Sequence, residues 1–480
     1  MSAKSHRLLR QICARDPQAA FVGGCVRDWL LGRPAVDLDI STTLDPRVLG
    51  EALLSQFGGH FFFLREEDET ARVLLHATQG PVVQVDLVRR HKSLKEDLLA
   101  RDFTANSLGL LVAQTPAHPE RVPRSLVPNL LDPSGGRRDL ARGILRLTRE
   151  DALLRDPLRS LRALRISQSL RLFPEPRTLE LLRRDAPLLG RPSRERVRDE
   201  LFRLLEAPQS AFWLELASAL GLLPGIFAGA EEPALPSQPP AELRCLRTLD
   251  SALPRLGRRP LRALERHLAQ PVTLPRSRLS LLRWCALLLD LWPELPSQAP
   301  DTSRVPHEPH RNPQTCASSR GGTAAASLCH ALRLSSNEAR AVRQALGLRL
   351  SAHALQRVDP EGPAAALWRH RLLRDAGREA PEALLLALSA PRAAPGAGEG
   401  QNRDRPLSST EWRWAKGHLK ALLSAGDRQP LLLSGEDLRV RLGVRPGPRL
   451  ARLLGLLGEA QAAGTVHTPE EAEDYLRSRL

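Results

Sequence analysis

Two aspartates, Asp37 and Asp39, alternate with apolar residues in the segment VDLDI at positions 36–40. This alternation predicts a β-strand that presents both carboxylates on one face. Adjacent like charges repel each other, and a divalent cation between them relieves the repulsion. Mg²⁺ prefers oxygen ligands and bridges carboxylates to substrate phosphates. The pair therefore predicts a magnesium site, and the alternative is a surface strand with two solvated aspartates.

A glycine pair, Gly23 and Gly24, lies between the apolar residues at 21–22 and a helical pattern at 25–32. A turn that enters a helix N-terminus presents backbone N–H groups to phosphates. Arg27 lies one turn into the predicted helix, where its planar guanidinium can bind the same phosphates. The glycine turn, Arg27 and the aspartate pair together predict a site that handles phosphates with a bound metal ion.

These residues need elements that position them, and the pattern predicts a small mixed sheet. A helical pattern from Asp45 to Phe57 is followed by three β-prone runs, HFFFLR, ARVLLHA and VVQVDLV, which begin at 60, 71 and 82. Together with the first strand they predict a sheet with one helix on it. From Ala207 to Ala390 the pattern is helical throughout. The sequence thus favours an α+β head followed by helices.

A second basic group follows Asp156 and Pro157, where Arg159, Arg162 and Arg165 recur at steps of three. Side chains at this spacing lie next to each other along a helix, and a row of like charges without acidic partners repels itself. Such a row suits a pocket that binds phosphates or nucleotides. Asp156 itself has a simpler interpretation as a helix N-cap, with proline at the first helical position.

The composition indicates a large basic protein. The chain has 480 residues and a net charge of +16, which predicts two to four domains and a polyanionic partner. None of the six cysteines forms a C-x-x-C pair, so we expect reduced structural thiols. The opening sixteen residues lack the apolar run of a signal peptide, and no apolar stretch is long enough to span a bilayer. We therefore expect a cytoplasmic protein without membrane contact.

Several motifs resemble one enzyme family. GGCVRD at 23–28, DLD at 37–39 and RDFTANSL at 101–108 are similar to the head motifs of class II tRNA nucleotidyltransferases and bacterial poly(A) polymerases. These enzymes share a superfamily with DNA polymerase beta. Three positions depart from the family pattern, because Ala100, Ser107 and Arg155 stand where the family usually has Arg, Ala and Glu.

The resemblance implies an α+β fold, with a DNA polymerase beta-like head of small mixed sheet followed by an all-helical neck, body and tail. The implied divisions are a catalytic head at 1–147, a helical neck with the nucleotide-selecting helix at 148–206, an RNA-binding helical body at 207–393, a linker at 394–407 and a tRNA-binding helical tail at 408–480.

The resemblance also implies roles for individual residues. Asp37 and Asp39 hold Mg²⁺, and Asp86 is the candidate third carboxylate that deprotonates or orients the attacking hydroxyl. Arg101 contacts nucleotide phosphates, and Asp102 helps to read the ribose. Asp156 and Arg159 read the base edge. The full nucleotide-binding set comprises Gly23, Gly24, Arg27, Arg101, Asp102, Asn106, Asp156, Arg159, Arg162 and Arg165.

The implied activity is template-independent addition of C and A to the 3′ end of tRNA from CTP and ATP, by phosphoryl transfer with two metal ions. No obligate protein partner is expected. Three alternatives remain open from the sequence. They are a poly(A) polymerase, an enzyme that adds only CC or only A, and, from a different class, an RNA-binding protein without catalysis.

Overall fold

The chain divides into two compact units, residues 1–191 and 192–480. The computed structural model describes residues 2–35, 37–67, 69–76, 83–115, 129–230, 235–236, 239–256, 262–292, 295, 320–355, 359–389, 409–424 and 430–480. The expected linker at 394–407 lies outside these residues.

The first unit is built on a six-stranded mixed sheet in the order β3-β4-β5-β2-β1-β6. The pairing of β2 with β5 is parallel, and the other pairings are antiparallel. This confirms the predicted small mixed sheet. The strands are β1 (Ala20–Val22), β2 (Asp37–Thr42), β3 (Gly59–Arg65), β4 (Thr70–Leu75), β5 (Val83–Arg89) and β6 (Gly109–Leu111).

One face of the sheet carries the apolar core. Ile40, Val73 and Val85 are fully buried there, packed with Leu49 and Leu53 of a covering helix. The opposite face is left for the polar residues of the same strands, because side chains alternate along a strand. The helices of this region are α1 (Ser2–Arg15), α2 (Gly24–Leu30), α3 (Pro46–Phe57) and α4 (Leu94–Leu99).

Local signals in the sequence set the ends of these helices. Asp45 caps α3 by accepting a hydrogen bond from the backbone of Arg47, and Pro46 takes the first helical position. Ser93 and Glu96 form a reciprocal capping box at the start of α4. The helix predicted from Asp45 to Phe57 is thereby confirmed.

The first unit continues past the sheet into a short helical region. Its elements are α5 (Gly136–Arg142), β7 (Ile144–Leu145), α6 (Ala152–Arg155), α7 (Arg159–Leu170), β8 (Phe173–Pro174) and α8 (Pro176–Arg184). The strands β7 and β8 pair in parallel. Residues 148–191, expected as the start of the neck, therefore belong to the same compact unit as the sheet.

The second unit is mainly helical. Its described elements are α9 (Arg194–Glu206), α10 (Ser210–Ala219), α11 (Leu223–Ile226), α12 (Arg244–Leu256), α13 (Arg262–Leu268), β9 (Pro271–Thr273), β10 (Arg276–Ser277), α14 (Arg278–Leu291), α15 (Arg320–Ala331), α16 (Ser336–Leu355), α17 (Pro363–Ala376), α18 (Ala380–Ser389), α19 (Ser409–Ser424), α20 (Gly435–Leu442), α21 (Pro448–Ala462) and α22 (Pro469–Arg477).

The helical character expected after the head is confirmed, with two short exceptions among the residues that the structure describes. One is the pairing of β8 with β7, and the other is the small antiparallel sheet of β9 and β10. None of the helices in the ranges given above is long and apolar enough to cross a membrane.

Buried arginines hold the second unit together. Arg276 forms an ion pair with the fully buried Glu338, and Arg278 pairs with Glu382 at 2.9 Å. Arg283 donates to the carbonyl oxygens of residues 205–207 at the end of α9, and it pairs with Asp250 at 2.9 Å. These three guanidiniums serve the packing of the unit, so none of them is free to follow an RNA backbone.

Candidate active site

The glycine turn connects β1 to α2 and brings two functional side chains against the backbone. Gly23 has φ +74° and ψ −128°, which a residue with a side chain rarely adopts. A Cβ at Gly23 would lie 2.6 Å from Nη1 of Arg101 and 3.4 Å from Oδ2 of Asp39. The backbone N–H of Gly24 donates to the Asp39 carboxylate. The absence of a side chain at Gly23 thus leaves the space that the carboxylate and the guanidinium occupy.

The predicted carboxylate pair lies on the polar face of β2, beside Asp86 of β5. The two strands run parallel, and their register pairs Asp39 with Asp86. Burial and the nearby Asp86 raise the pKa of Asp37, and Arg72 opposes the rise. Burial also raises the pKa of Asp39, where Arg101 opposes the rise and the other two carboxylates add to it. The ionised forms of Asp37 and Asp39 are therefore destabilised by burial and by the neighbouring carboxylates.

This donor set fits a divalent cation. Asp37 and Asp39 offer oxygen ligands of the kind Mg²⁺ prefers, and added positive charge would offset the burial and the mutual repulsion that raise both pKa values. No group of three or more His, Cys, Asp or Glu side chains in the described ranges is arranged to hold a metal ion. The fit to a divalent cation therefore rests on Asp37 and Asp39.

Asp86, the candidate third carboxylate, is held by an arginine that sequence reasoning missed. Nε of Arg72 donates to Oδ1 of Asp86 at 2.7 Å, and Nη2 donates to Oδ2 at 2.8 Å. The neighbouring-strand position expected for Asp86 is present. The signal that could have found Arg72 is its place in the run ARVLL, but only the strand register brings it opposite Asp86.

A chain of hydrogen bonds links the glycine turn to α7. Nη1 of Arg27 donates to Oδ1 of Asn106 at 2.6 Å, and Nδ2 of Asn106 donates to Oδ1 of Asp102 at 3.0 Å. Nε and Nη2 of Arg162 donate to Oδ2 of Asp102 at 3.0 and 2.6 Å. Four predicted residues from three separate motifs are therefore joined in one chain of hydrogen bonds.

Asp102 is the centre of this chain and is nearly inaccessible to solvent. Burial acts to raise its pKa, but Arg162 and the hydrogen bonds from Asn106 and the Phe103 backbone outweigh burial and hold the pKa below its usual value. The backbone N–H of Phe103 adds a second donor on Oδ1 at 2.8 Å. Each oxygen thus accepts two hydrogen bonds, and a ribose hydroxyl would have to displace one of these donors.

Asp156 lies in the extended link between α6 and α7. Its carbonyl oxygen accepts a hydrogen bond from the N–H of Arg159 at 3.1 Å, and its Oδ1 accepts from the backbone N–H of Leu158 at 3.2 Å. Asp156 thus makes the contacts expected of an N-cap, although the regular turns of α7 begin at Arg159 and not at Pro157. The half-buried carboxylate thereby stays beside the start of α7.

Arg159, the other predicted base-reading residue, is anchored between two carbonyl groups. Its Nη1 donates to Ala152 at 3.4 Å, and its Nη2 donates to Ala100 at 3.3 Å. Burial lowers the pKa of Arg159. Ala100, one departure from the family motif, therefore contributes its backbone carbonyl to the site.

The remaining predicted residues have simpler surroundings. Arg101, which follows α4, forms an ion pair with Asp97 of that helix at 3.6 Å. Arg165 lies half-buried on α7. Arg155, the third departure from the family pattern, pairs with Asp151 at 2.8 Å on the exposed side of α6.

Two protein families match parts of this chain. Residues 19–146 match the Poly A polymerase head domain, and residues 172–234 match a family described as the probable RNA and SrmB-binding site of polymerase A. The A-adding tRNA nucleotidyltransferase of Deinococcus radiodurans is 34% identical over 475 residues, covering 96% of this chain and 95% of that relative.

Two further relatives cover nearly the whole chain. The CC-adding tRNA nucleotidyltransferase of Geobacter sulfurreducens is 32% identical over 494 residues, with 99% and 97% of the two chains covered. The Thermotoga maritima CCA-adding enzyme, solved in a complex with tRNA, shares the fold at a TM-score of 0.61 and 19% identity, with 99% and 95% covered. The chain therefore belongs to the tRNA nucleotidyltransferase family, whose head domain it has in common with poly(A) polymerases.

Proposed function

We propose that this enzyme extends the 3′ end of tRNA with C and A, using CTP and ATP and no nucleic-acid template. The observation that carries the proposal is the hydrogen-bonded chain from Arg27 through Asn106 and Asp102 to Arg162. It ties the glycine turn, where a triphosphate would bind, to the helix proposed to read the base. The names of the relatives support tRNA as the acceptor.

In the proposed reaction the 3′-hydroxyl oxygen of tRNA attacks the α-phosphorus of CTP or ATP, and the bond to pyrophosphate breaks. Asp37 and Asp39 would hold Mg²⁺. When bound, two Mg²⁺ ions supply the positive charge that activates the hydroxyl and stabilises the leaving oxygens. The backbone at Gly23 and Gly24 would bind the triphosphate, and this positioning supplies most of the rate.

Two guanidiniums would complete the triphosphate site. Arg101 lies against the glycine turn, and Arg27 lies beside Gly24 with one of its nitrogens 3.6 Å from where a Cβ would stand. Planar guanidiniums bind phosphate oxygens in pairs and keep their charge at any working pH. Arg162 and Arg165 would contribute further to the pocket from α7.

Asp156 and Arg159 would select the nucleotide. A carboxylate accepts a hydrogen bond from the exocyclic amine of C or A, and a guanidinium donates to a ring nitrogen or a carbonyl oxygen. G and U offer no amine at that position of the edge, so they would leave buried groups unpaired and be rejected.

The domain roles are part of the same proposal. Residues 148–206 would form the neck that carries the selecting helix, with 148–191 in the first compact unit. Residues 207–393 and 408–480 would contact the tRNA. The net charge of +16 supports such a polyanionic partner.

A narrower activity, addition of CC only or of A only, is the second candidate. Two observations favour it. The relatives from Deinococcus radiodurans and Geobacter sulfurreducens, which match nearly the full chain, are named A-adding and CC-adding enzymes. The segment at 88–94 is short, because β5 ends at Arg89 and α4 begins at Leu94, which leaves little chain for a change between C and A.

One assay tests both candidates. The enzyme is incubated with labelled tRNAs that end before the CCA, after the first C or after the second C, together with CTP, ATP or both, and the products are sized on a sequencing gel. Addition of C, C and A to the shortest tRNA is expected for full activity. Products that stop at CC, or a single A added only to the CC-ended tRNA, would establish the narrower activity.

Two other outcomes would overturn the proposal. A long run of A would identify a poly(A) polymerase, and no product with any tRNA would indicate an RNA-binding protein without catalysis. A tRNA with a complete CCA end is the matched control, since it binds like the others but should not be extended.

A further inference from the structure

Arg72 stands at one end of a charged row that crosses the polar face of the sheet. The strand register places Arg72 of β4 opposite Asp86 of β5, and Asp86 opposite Asp39 of β2. Residues paired across neighbouring strands point to the same face. The guanidinium of Arg72 therefore lies on the face of the two proposed metal ligands, although no sequence motif marks it.

The contact between Arg72 and Asp86 is a fork, with distances of 2.7 and 2.8 Å to the two carboxylate oxygens. The side chains are 30% and 15% exposed. A fork of two parallel N–H groups fixes the plane of a carboxylate, which a lysine cannot do. Each Asp86 oxygen retains one lone pair, so the residue can still accept a hydrogen bond from a substrate hydroxyl.

Arg72 also acts on the other two carboxylates. The hydrogen bond to Asp86 is the largest cause that raises the pKa of Arg72, and the negative charges of Asp86, Asp37 and Asp39 add to the rise. Arg101 provides positive charge near Asp39 from the other side. Two guanidiniums thus offset part of the charge of three carboxylates before any metal ion binds.

We propose that Arg72 is a positioning residue that holds Asp86 as an acceptor for the attacking hydroxyl and keeps it from joining Asp37 and Asp39 as a metal ligand. This inference rests on the proposed function, and it names a residue that sets how tightly the site binds a divalent cation. Without Arg72, the site gains one unit of negative charge and a third free carboxylate, so the cation binds more tightly while the hydroxyl loses its orientation.

The first test measures Mn²⁺ binding to the purified enzyme without nucleotide. The electron paramagnetic resonance signal of the free ion reports how much Mn²⁺ stays unbound. Mn²⁺ has the same charge as Mg²⁺ and accepts the same oxygen ligands. Arg72→Gln is expected to lower the Kd for Mn²⁺ by about three- to tenfold, since a unit charge near the ion is removed. Arg72→Lys keeps the charge and is expected to restore a Kd close to that of the wild type.

The second readout is transfer at saturating Mg²⁺. Both Arg72→Gln and Arg72→Lys are expected to lower kcat about tenfold or more with an unchanged KM for the nucleotide, because only the fork orients Asp86. Arg89→Gln is the matched control. Arg89 lies on β5, is 34% exposed and pairs with Glu69 at 2.6 Å, so its loss removes a comparable ion pair without touching Asp86.

The outcomes distinguish a failure of the inference about Arg72 from a failure of the proposed function. If the wild type binds Mn²⁺ and Arg72→Gln binds it with the same Kd, the inference about Arg72 is wrong and the proposed function stands. If wild-type binding of Mn²⁺ does not depend on Asp37 and Asp39, the metal assignment and the inference both fail. A Kd that falls equally in Arg72→Gln and Arg89→Gln would also contradict the inference, since it would report general charge alone.

Discussion

At the scale of single residues, Gly23 decides whether the site can assemble. Its position between β1 and α2 combines an unusual backbone conformation with close approach of Arg101 and Asp39. A methyl group there would push a guanidinium that is proposed to bind phosphate. An experiment should therefore distinguish the backbone strain at position 23 from the displacement of the Arg101 guanidinium.

We predict that Gly23→Ala lowers kcat/KM by about 100-fold, because the added Cβ displaces the Arg101 guanidinium that positions the triphosphate. Gly32→Ala is the matched control. Gly32 also has a positive φ, +68°, but a Cβ there would meet nothing within 4 Å. Both variants should lose about 1–3 kcal/mol of stability from the positive φ, measured by denaturant unfolding. Equal kcat/KM in the two variants would show that Arg101 needs no such space.

At the scale of elements, the contact between Asp102 and Arg162 attaches α7 to the loop that follows α4. Asp102 is buried, and its charge is satisfied by Arg162, Asn106 and one backbone N–H. Removing the guanidinium would leave a buried carboxylate with fewer donors, which is costly. The helix proposed to read the base would lose its attachment at the same time.

We predict that Arg162→Gln lowers the free energy of unfolding by about 1–3 kcal/mol and raises the KM for both CTP and ATP. Adding Asp102→Asn should recover part of the lost stability, because the unpaired charge is then gone. Arg177→Gln serves as the control, since it removes only exposed pairs with Glu150 and Glu180. A stability loss no greater than that of the control would mean that the contact does not hold α7.

A second link between elements is sensitive to pH. Asp290 of α14 accepts hydrogen bonds from the backbone N–H groups of Cys245 and Leu246, at the start of α12, at 2.8 and 3.0 Å. Burial raises the pKa of Asp290 to about 6, although these hydrogen bonds oppose the rise. The folded protein therefore retains a proton that the unfolded chain releases at lower pH.

The contribution of Asp290 to stability is fully present below about pH 4 and is lost as the pH rises through about 6. We predict that Asp290→Asn, which cannot ionise, gains relative to the wild type by about 3 kcal/mol between pH 4 and pH 7. Urea unfolding of both proteins across this range measures the difference. A difference that stays constant over the range would show that Asp290 does not titrate in this way.

At the scale of the whole molecule, the strands and helices predicted correctly are those that local sequence patterns determine. Alternation identified β2 with its carboxylates on one face, and three β-prone runs became β3, β4 and β5. Arg72 escaped prediction because its contact with Asp86 depends on strand register, which a single run does not reveal. The capping contacts of Asp156 were visible in the sequence as Asp followed by Pro, although the regular turns of α7 begin at Arg159 and not at Pro157.

The helical second unit shows the same limit. Its helices follow from periodicity, but the sequence could not show which arginines face inward. Arg276, Arg278 and Arg283 are buried and paired with acidic side chains that lie far away along the chain. Long-range ion pairs of this kind are set by packing, so only the structure separates structural arginines from those available to a polyanion.

The central claim is that Asp37 and Asp39 carry the chemistry, and the most direct test is nucleotide transfer to tRNA lacking its CCA end. Asp37→Ala and Asp39→Ala should each lower transfer of CMP and AMP by about 1,000-fold or more, while the Kd for tRNA, measured by filter binding, stays within about twofold of the wild type. Asp45→Ala, which removes only the cap of α3, should keep its transfer activity. Transfer at the wild-type rate by either aspartate variant would contradict the account.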